Sequence, residues 1–170
     1  MGAEKAGEAM IVDRPGMERG SDTELVWRHR FKAPARLVFD AWTKPEFVKR
    51  WWAPKSRNLE MVRCEADVRV GGAYVYALAR GGATIATFSG TYLEIIRPTK
   101  LVYTSLFAPF PEALMVTVIF EERDGLTHLV SREAYPSKKV LDGAIASGME
   151  SGALEAMDQL DELVASMATP

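Results

Sequence analysis

Apolar and polar residues alternate over residues 24–31, and the spacing becomes helical after Pro34. A period of two is typical of a strand with one buried face. Proline is well tolerated in the first turn of a helix, so the spacing predicts a short helix over residues 34–42. Residues 43–46 read Thr-Lys-Pro-Glu, which has the form of a capping box and predicts a second helix that ends near residue 51.

Residues 58–135 alternate in the same way, in short runs that are separated by turn residues. The pairs Gly71-Gly72, Gly81-Gly82 and Asp124-Gly125 lie between runs. Such pairs are hairpin signals because glycine adopts a positive φ at little cost. The pattern therefore predicts an antiparallel meander. Its strands cover residues 58–70, 74–80, 84–96, 101–107, 114–123 and 126–135.

A helical stripe of apolar residues runs through the last part of the chain, from residue 137 to about residue 167. Ser147 to Glu150 has the form of another capping box, which divides the segment into a short helix over 138–146 and a longer one after it. A helix with one apolar stripe needs an apolar surface beside it, and one face of the sheet supplies that surface. The elements together predict an α+β fold in which the terminal helix grips the sheet.

Composition narrows the class of protein further. The 170 residues, 48% of them hydrophobic, suit one domain, and we expect a flexible tail over 1–22 and a single domain over 23–168. A net charge of -2 argues against nucleic acid and anionic membranes as partners. The chain shows no secretory or membrane-spanning stretch, so we expect a soluble, cytoplasmic protein. One cysteine and two histidines are too few for the usual metal sites, and no cofactor is expected.

Aromatic residues provide the best candidates for a binding site. Three of the four tryptophans lie within residues 42–52, where they are expected to form a wall or lid. A tyrosine hydroxyl that is buried without a partner costs about 1–3 kcal/mol, so several inward tyrosines would imply a wet or occupied cavity. No known catalytic motif is present, and no catalytic residue is assigned. The candidate cavity residues are Trp42, Trp51, Trp52, Tyr74, Tyr76, Phe88, Tyr92, Tyr103, Met115, Glu133, Met149 and Met157.

Several stretches resemble one known family. They include residues 31–54, 67–74, 90–104 and 147–152, and the resemblance extends over about residues 24–166. The chain is similar to the family named for the activator of heat shock protein 90 ATPase, within the START-like (SRPBCC, Bet v-type) superfamily. The resemblance implies a helix-grip fold, in which a curved antiparallel sheet of about seven strands, two short helices and a long C-terminal helix enclose an elongated hydrophobic cavity.

The resemblance leaves three functions open. The first is binding of a hydrophobic small molecule in the cavity. The second is activation of a heat-shock chaperone ATPase during stress, as for the namesake; the co-chaperones that this family resembles carry an additional N-terminal domain, and residues 1–23 are too short for one. The third is a cofactor-free cyclase or hydrolase that acts on a bound polyketide. An exposed sheet edge also allows a homodimer.

Overall fold

The computed structural model describes residues 16–108 and 112–168. One antiparallel sheet of eight strands has the order β1-β2-β8-β7-β6-β5-β4-β3. Two short helices follow β2, and two more end the described chain. The elements are β1 Gly16–Arg19, β2 Glu24–Phe31, α1 Ala35–Thr43, α2 Pro45–Trp51, β3 Glu60–Ala66, β4 Ala73–Arg80, β5 Ala83–Ile96, β6 Lys100–Ala108, β7 Leu114–Arg123, β8 Leu126–Ala134, α3 Lys138–Ala146 and α4 Met149–Ala168.

The α+β, helix-grip fold is confirmed, and the hairpin signals lie where the chain turns. Gly81 and Gly82 have φ values of 60° and 83° between β4 and β5. Asp124 and Gly125, at 53° and 77°, join β7 to β8 in the same way. Two consecutive positive φ angles match the twist of a two-residue hairpin, and therefore keep neighbouring strands in register.

The sheet has one more strand than the seven we expected. Residues 16–19, which we assigned to the flexible tail, form β1 and pair antiparallel with β2, where Met17 lies opposite Trp27. Met17 packs beside Trp27 on the inner face of the sheet, and this contact holds a strand that has few apolar residues of its own. The rest of the predicted tail, residues 1–15, lies outside the described residues.

The predicted capping box at residues 43–46 is wrong. The hydroxyl of Thr43 donates to the carbonyl of Phe39 at 2.9 Å, inside α1. Lys44 instead precedes α2, which begins at Pro45. Proline lacks the N–H that would otherwise be unpaired at this position, so α2 starts without a side-chain cap.

The main core lies between the inner face of the sheet and the helices α1, α2 and α4. Helix α4 packs mainly against α1 and α2, and it reaches the sheet at β2. There the imidazole Nε2 of His29 lies 2.6 Å from a carboxylate oxygen of Asp161. A second, smaller cluster joins β2 and the end of β8 to α3. This second cluster consists of Leu25, Trp27, Tyr135 and Leu141. Within the described ranges, no helix is long and apolar enough to span a membrane.

Candidate functional site

Six aromatic side chains surround a small internal cavity, which we call the tyrosine chamber. Four tyrosines come from the inner face of the sheet, and two tryptophans come from the segment around α1 and α2. Neighbouring tyrosine rings lie 4.9–6.2 Å apart between centroids. All six were candidates from the sequence. The lining residues are Trp42, Trp52, Tyr74, Tyr76, Tyr92 and Tyr103.

Sheet register brings the four tyrosines together. Tyr74 and Tyr76 are two residues apart on β4, so their side chains share one face. Tyr92 on β5 pairs directly with Tyr103 on β6. Gly90, opposite Tyr74, makes room for that ring, because a Cβ at this glycine would lie 2.8 Å from Tyr74 Cε1. A glycine within β5 is thus part of the site's construction.

The tyrosine chamber is much smaller than the elongated cavity that the resemblance implies. Its internal space is about 10 Å³, which is enough for one water molecule. The rings of Trp42 and Tyr103 are each more than nine-tenths buried. A ligand that contains a ring therefore enters only if some of the lining side chains move.

The hydroxyl groups in the tyrosine chamber have unequal hydrogen bonding. Tyr74 donates to the carbonyl of Thr104 at 2.9 Å. Tyr76 interacts with the hydroxyl oxygen of Tyr92. The indole N–H of Trp42 points to the hydroxyl oxygen of Tyr103. The chamber is consequently an apolar space with a polar centre.

Burial raises the pKa of all four tyrosine hydroxyls. For Tyr76 the pKa is raised mainly by burial and further by the neighbouring Tyr92 and Tyr103. A phenolate in this apolar space would lack its hydration, so the neutral form is favoured. Each hydroxyl therefore keeps its proton at physiological pH and remains a hydrogen-bond donor.

Three rings connect the tyrosine chamber to the surface. Trp52 is half-buried and lies 5.0 Å from Tyr76 and 5.6 Å from Phe88 between ring centroids. Phe88 stacks on Phe107 at 4.8 Å, and Phe107 is 37% exposed. Exposure thus increases along this row, from the buried tyrosines through Trp52 and Phe88 to Phe107.

Residues 51–57, which we call the entrance segment, are fastened to α4. The amide nitrogen of Gln159 donates to the carbonyls of Trp51 and Ala53 at 3.0 and 2.9 Å, and its oxygen accepts from the N–H of Lys55 at 2.9 Å. Ser56 donates to Glu155 from its N–H at 2.9 Å and also from its hydroxyl. The position of Trp52 is therefore set by α4.

Trp51 does not line the tyrosine chamber, although it was a candidate. It is 2% exposed, and its indole N–H donates to the carbonyl of Ala41 at 2.8 Å. Its ring packs against Trp42 and Trp52 at 5.0 and 5.3 Å. Trp51 therefore supports the two lining tryptophans from behind.

Glu133 and Met149 lie outside the tyrosine chamber, around the second cluster. The hydroxyl of Tyr135 donates to Glu133 at 3.1 Å and lies 3.9 Å from the sulfur of Met149. The indole N–H of Trp27 also donates to the Glu133 carboxylate. Burial raises the pKa of Glu133, although these two hydrogen bonds oppose the change. Glu133 is partly exposed as a whole, but its carboxyl group lies among interior side chains, and this local environment raises the pKa.

The raised pKa of Glu133 predicts a pH dependence of stability. A carboxyl group with a higher pKa in the folded state binds its proton more tightly when folded. Its contribution to stability is full below the unfolded pKa, near 4.5, and is lost as the pH rises through the folded pKa. We expect Glu133→Gln to gain stability relative to the wild type as the pH rises above 4.5, as measured by urea unfolding between pH 4 and 8. A difference between the two proteins that stays constant over this range would contradict the prediction.

The remaining candidates have different positions. Phe88 lies at the rim of the tyrosine chamber, and Met157 of α4 packs against the main core. The interpretation of Met115 as a cavity residue is wrong. Met115 pairs with Thr104 across β6, its side chain is on the outer face of the sheet, and it is 42% exposed. The register of β7 puts Val116, and not Met115, on the inner face.

Two residues of the site were missed in the sequence. Gln159 lies within the apolar stripe of α4, between Ala156 and Leu160, and a polar residue in such a stripe indicates a buried polar contact. Gly90 has no signal of this kind, because the close approach of Thr104 exists only after β5 and β6 have paired. Across the described parts of the chain, no group of three or more His, Cys, Asp or Glu side chains could hold a metal ion.

Comparisons with known proteins agree with this architecture. The family described as Activator of Hsp90 ATPase homolog 1-like protein matches residues 32–165. A crystal structure of a protein from Rhodobacter sphaeroides superimposes with a TM-score of 0.82 at 24% identity, over 88% of this chain and 97% of that one. Proteins from Nitrosomonas europaea and Mycobacterium smegmatis superimpose with a TM-score of 0.76 at 20% and 22% identity, over 86% of this chain and 97% and 94% of theirs. These likenesses show the fold. No curated protein matches the chain.

Proposed function

The chain belongs to the family of Activator of Hsp90 ATPase homolog 1-like proteins, whose fold suits ligand binding, and on that premise we propose that it binds a planar hydrophobic small molecule in the tyrosine chamber. The observation that carries this proposal is the convergence of four neutral phenol groups on one water-sized space. Ligand sites combine apolar walls with a few directed polar groups, and the chamber has this composition.

Core packing alone does not account for these hydroxyl groups. Phenylalanine would fill the same positions without the cost of removing a hydroxyl from water. Of the four hydroxyls, that of Tyr74 has a strong backbone partner, at 2.9 Å. A ligand with a polar atom would compensate the hydroxyls that lack such a partner, and its apolar part would contact the six rings.

Binding requires the tyrosine chamber to expand. Trp52 is the most exposed of the lining side chains, it contacts Phe88, and both residues are only partly buried. A rotation of Trp52 away from Tyr76 would join the internal space to the surface while β4, β5 and β6 stay paired. Because this step must occur before or during entry, association is expected to be slower than diffusion allows, as for other binding reactions that require a conformational change.

The proposal predicts stabilisation by planar hydrophobic molecules. A ligand at 100 times its Kd adds about 2.7 kcal/mol to the free energy of unfolding. For a chain of this size that corresponds to a rise in melting temperature of about 5–10 °C. We expect at least one of toluene, indole, naphthalene and 2-acetylnaphthalene to produce such a rise, and to change the tryptophan emission because Trp42 and Trp52 line the site.

Two matched variants locate the effect. Tyr76→Trp fills the tyrosine chamber and should abolish the response to the active compound. Tyr135→Trp makes the same substitution in the second cluster and should keep it. Circular dichroism establishes that both variants are folded. A panel without any effect on the wild type, or an equal response in the two variants, would contradict the proposed site.

A further inference from the structure

The four phenol protons in the tyrosine chamber differ in their acceptors within residues 16–108 and 112–168. The proton of Tyr74 is used by the Thr104 carbonyl at 2.9 Å, and the hydroxyl of Tyr76 lies beside that of Tyr92. Neither Tyr92 nor Tyr103 donates a hydrogen bond to another residue in these ranges, and both line the internal space. Their own protons are therefore available for another acceptor.

These two hydroxyl groups are positioned to act on the same molecule. Tyr92 and Tyr103 are direct partners across β5 and β6, and their ring centroids are 6.2 Å apart. Both belong to the lining of the same internal space. An acceptor oxygen has two lone pairs, so a single carbonyl oxygen accepts from two donors.

The lining also determines the charge of the acceptor. The six lining residues are tryptophan and tyrosine, and none carries a positive charge. A carboxylate or phosphate in this space would lose its hydration without gaining a cation, which is strongly unfavourable. An uncharged oxygen on a flat apolar skeleton meets no such penalty.

We propose that the tyrosine chamber selects planar hydrophobic molecules that carry an uncharged acceptor oxygen, such as a ketone carbonyl, to which Tyr92 and Tyr103 donate hydrogen bonds. The inference rests on the proposed function, because it specifies the ligand class of the same site. It adds a polar requirement that hydrophobic binding alone does not contain.

Acetophenone and α-methylstyrene form a suitable pair of probes. They have nearly the same planar shape, but the first has a carbonyl oxygen where the second has a methylene group. A purely apolar site would bind α-methylstyrene more tightly, because transfer of an unpaired carbonyl group out of water is unfavourable. We expect the wild type to bind acetophenone at least as tightly, as measured by isothermal titration calorimetry.

Three variants then test which hydroxyl groups of the tyrosine chamber donate hydrogen bonds to the ligand. Tyr92→Phe and Tyr103→Phe should each weaken acetophenone by about 3- to 10-fold, the range expected for one hydrogen bond, and should leave α-methylstyrene within about twofold. Tyr74→Phe removes a proton that Thr104 already uses, so it should change the affinity for both probes by the same factor. Retained binding of α-methylstyrene shows that a variant is folded.

The outcomes separate this inference from the proposed function. Tighter binding of α-methylstyrene to the wild type would overturn the acceptor requirement and leave hydrophobic binding in place. A parallel loss of both probes in Tyr92→Phe and Tyr103→Phe would overturn the roles of these hydroxyls. Failure of both probes and of the whole panel to bind the wild type would overturn the proposed function itself. Preference for acetophenone that is lost in these two variants supports the inference.

Discussion

Replacement of Gln159 by methionine is expected to lower the free energy of unfolding by about 3–5 kcal/mol. Methionine has nearly the same length and volume, but it makes none of the three hydrogen bonds to the entrance segment. The buried carbonyl of Trp51 and the partly buried carbonyl of Ala53 and N–H of Lys55 would lose their partners, and a buried unpaired group costs about 1–3 kcal/mol. Urea unfolding followed by circular dichroism measures the change.

Glu162→Met is the matched control, because it introduces the same side chain at an exposed position of the same helix. We expect its stability to stay within about 0.5 kcal/mol of the wild type. A fall of less than about 1 kcal/mol for Gln159→Met would show that water replaces the lost contacts, and that α4 does not hold the entrance segment as the geometry indicates.

Gly90→Ala is expected to have an effect of similar size, about 3 kcal/mol or more. A Cβ at this position would lie 1.8 Å from the carbonyl oxygen of Thr104 and 2.8 Å from the ring of Tyr74. The first contact is with backbone, so it is relieved only if β5 and β6 separate locally. The melting temperature should fall, and the binding of any ligand of the tyrosine chamber should weaken with it.

The control is the same substitution at Gly143, in α3, where a Cβ would meet no atom within 4 Å. Alanine is the better helix former, so Gly143→Ala should raise the stability by about 0.5–1 kcal/mol. The two substitutions are thus expected to have opposite signs. Equal effects would mean that the space around Gly90 adjusts more easily than its contacts suggest.

Most of the fold could be predicted because its signals are local. The alternation that indicated β2 and β7 ends at the residues where the strands end, since proline, glycine and aspartate interrupt pairing there. The capping box at Thr43 failed for a local reason as well. Its hydroxyl had a nearer acceptor in the preceding turn, the Phe39 carbonyl, and this bond competes with capping.

The site was predictable only in part, because it depends on register and on contacts between distant residues. Aromatic content identified the lining tyrosines, but Met115 was placed on the wrong face of the sheet. The face of each residue depends on the strand register, and the sequence does not give that register. The small size of the tyrosine chamber could not be predicted from the sequence. It results from the close packing of α1, α2 and α4 on the inner face, which composition does not reveal.

The attachment of the entrance segment to α4 has a consequence for biosynthesis. Gln159 follows Trp51 by 108 residues, so the two cannot meet until almost the whole domain has been synthesised. A contact of such long sequence separation also forms late in a folding reaction, because a large loop must close first. We therefore expect the nascent polypeptide to expose part of its aromatic interior until α4 has been synthesised. Molecules that meet the chain at this stage have access to rings that the finished domain conceals.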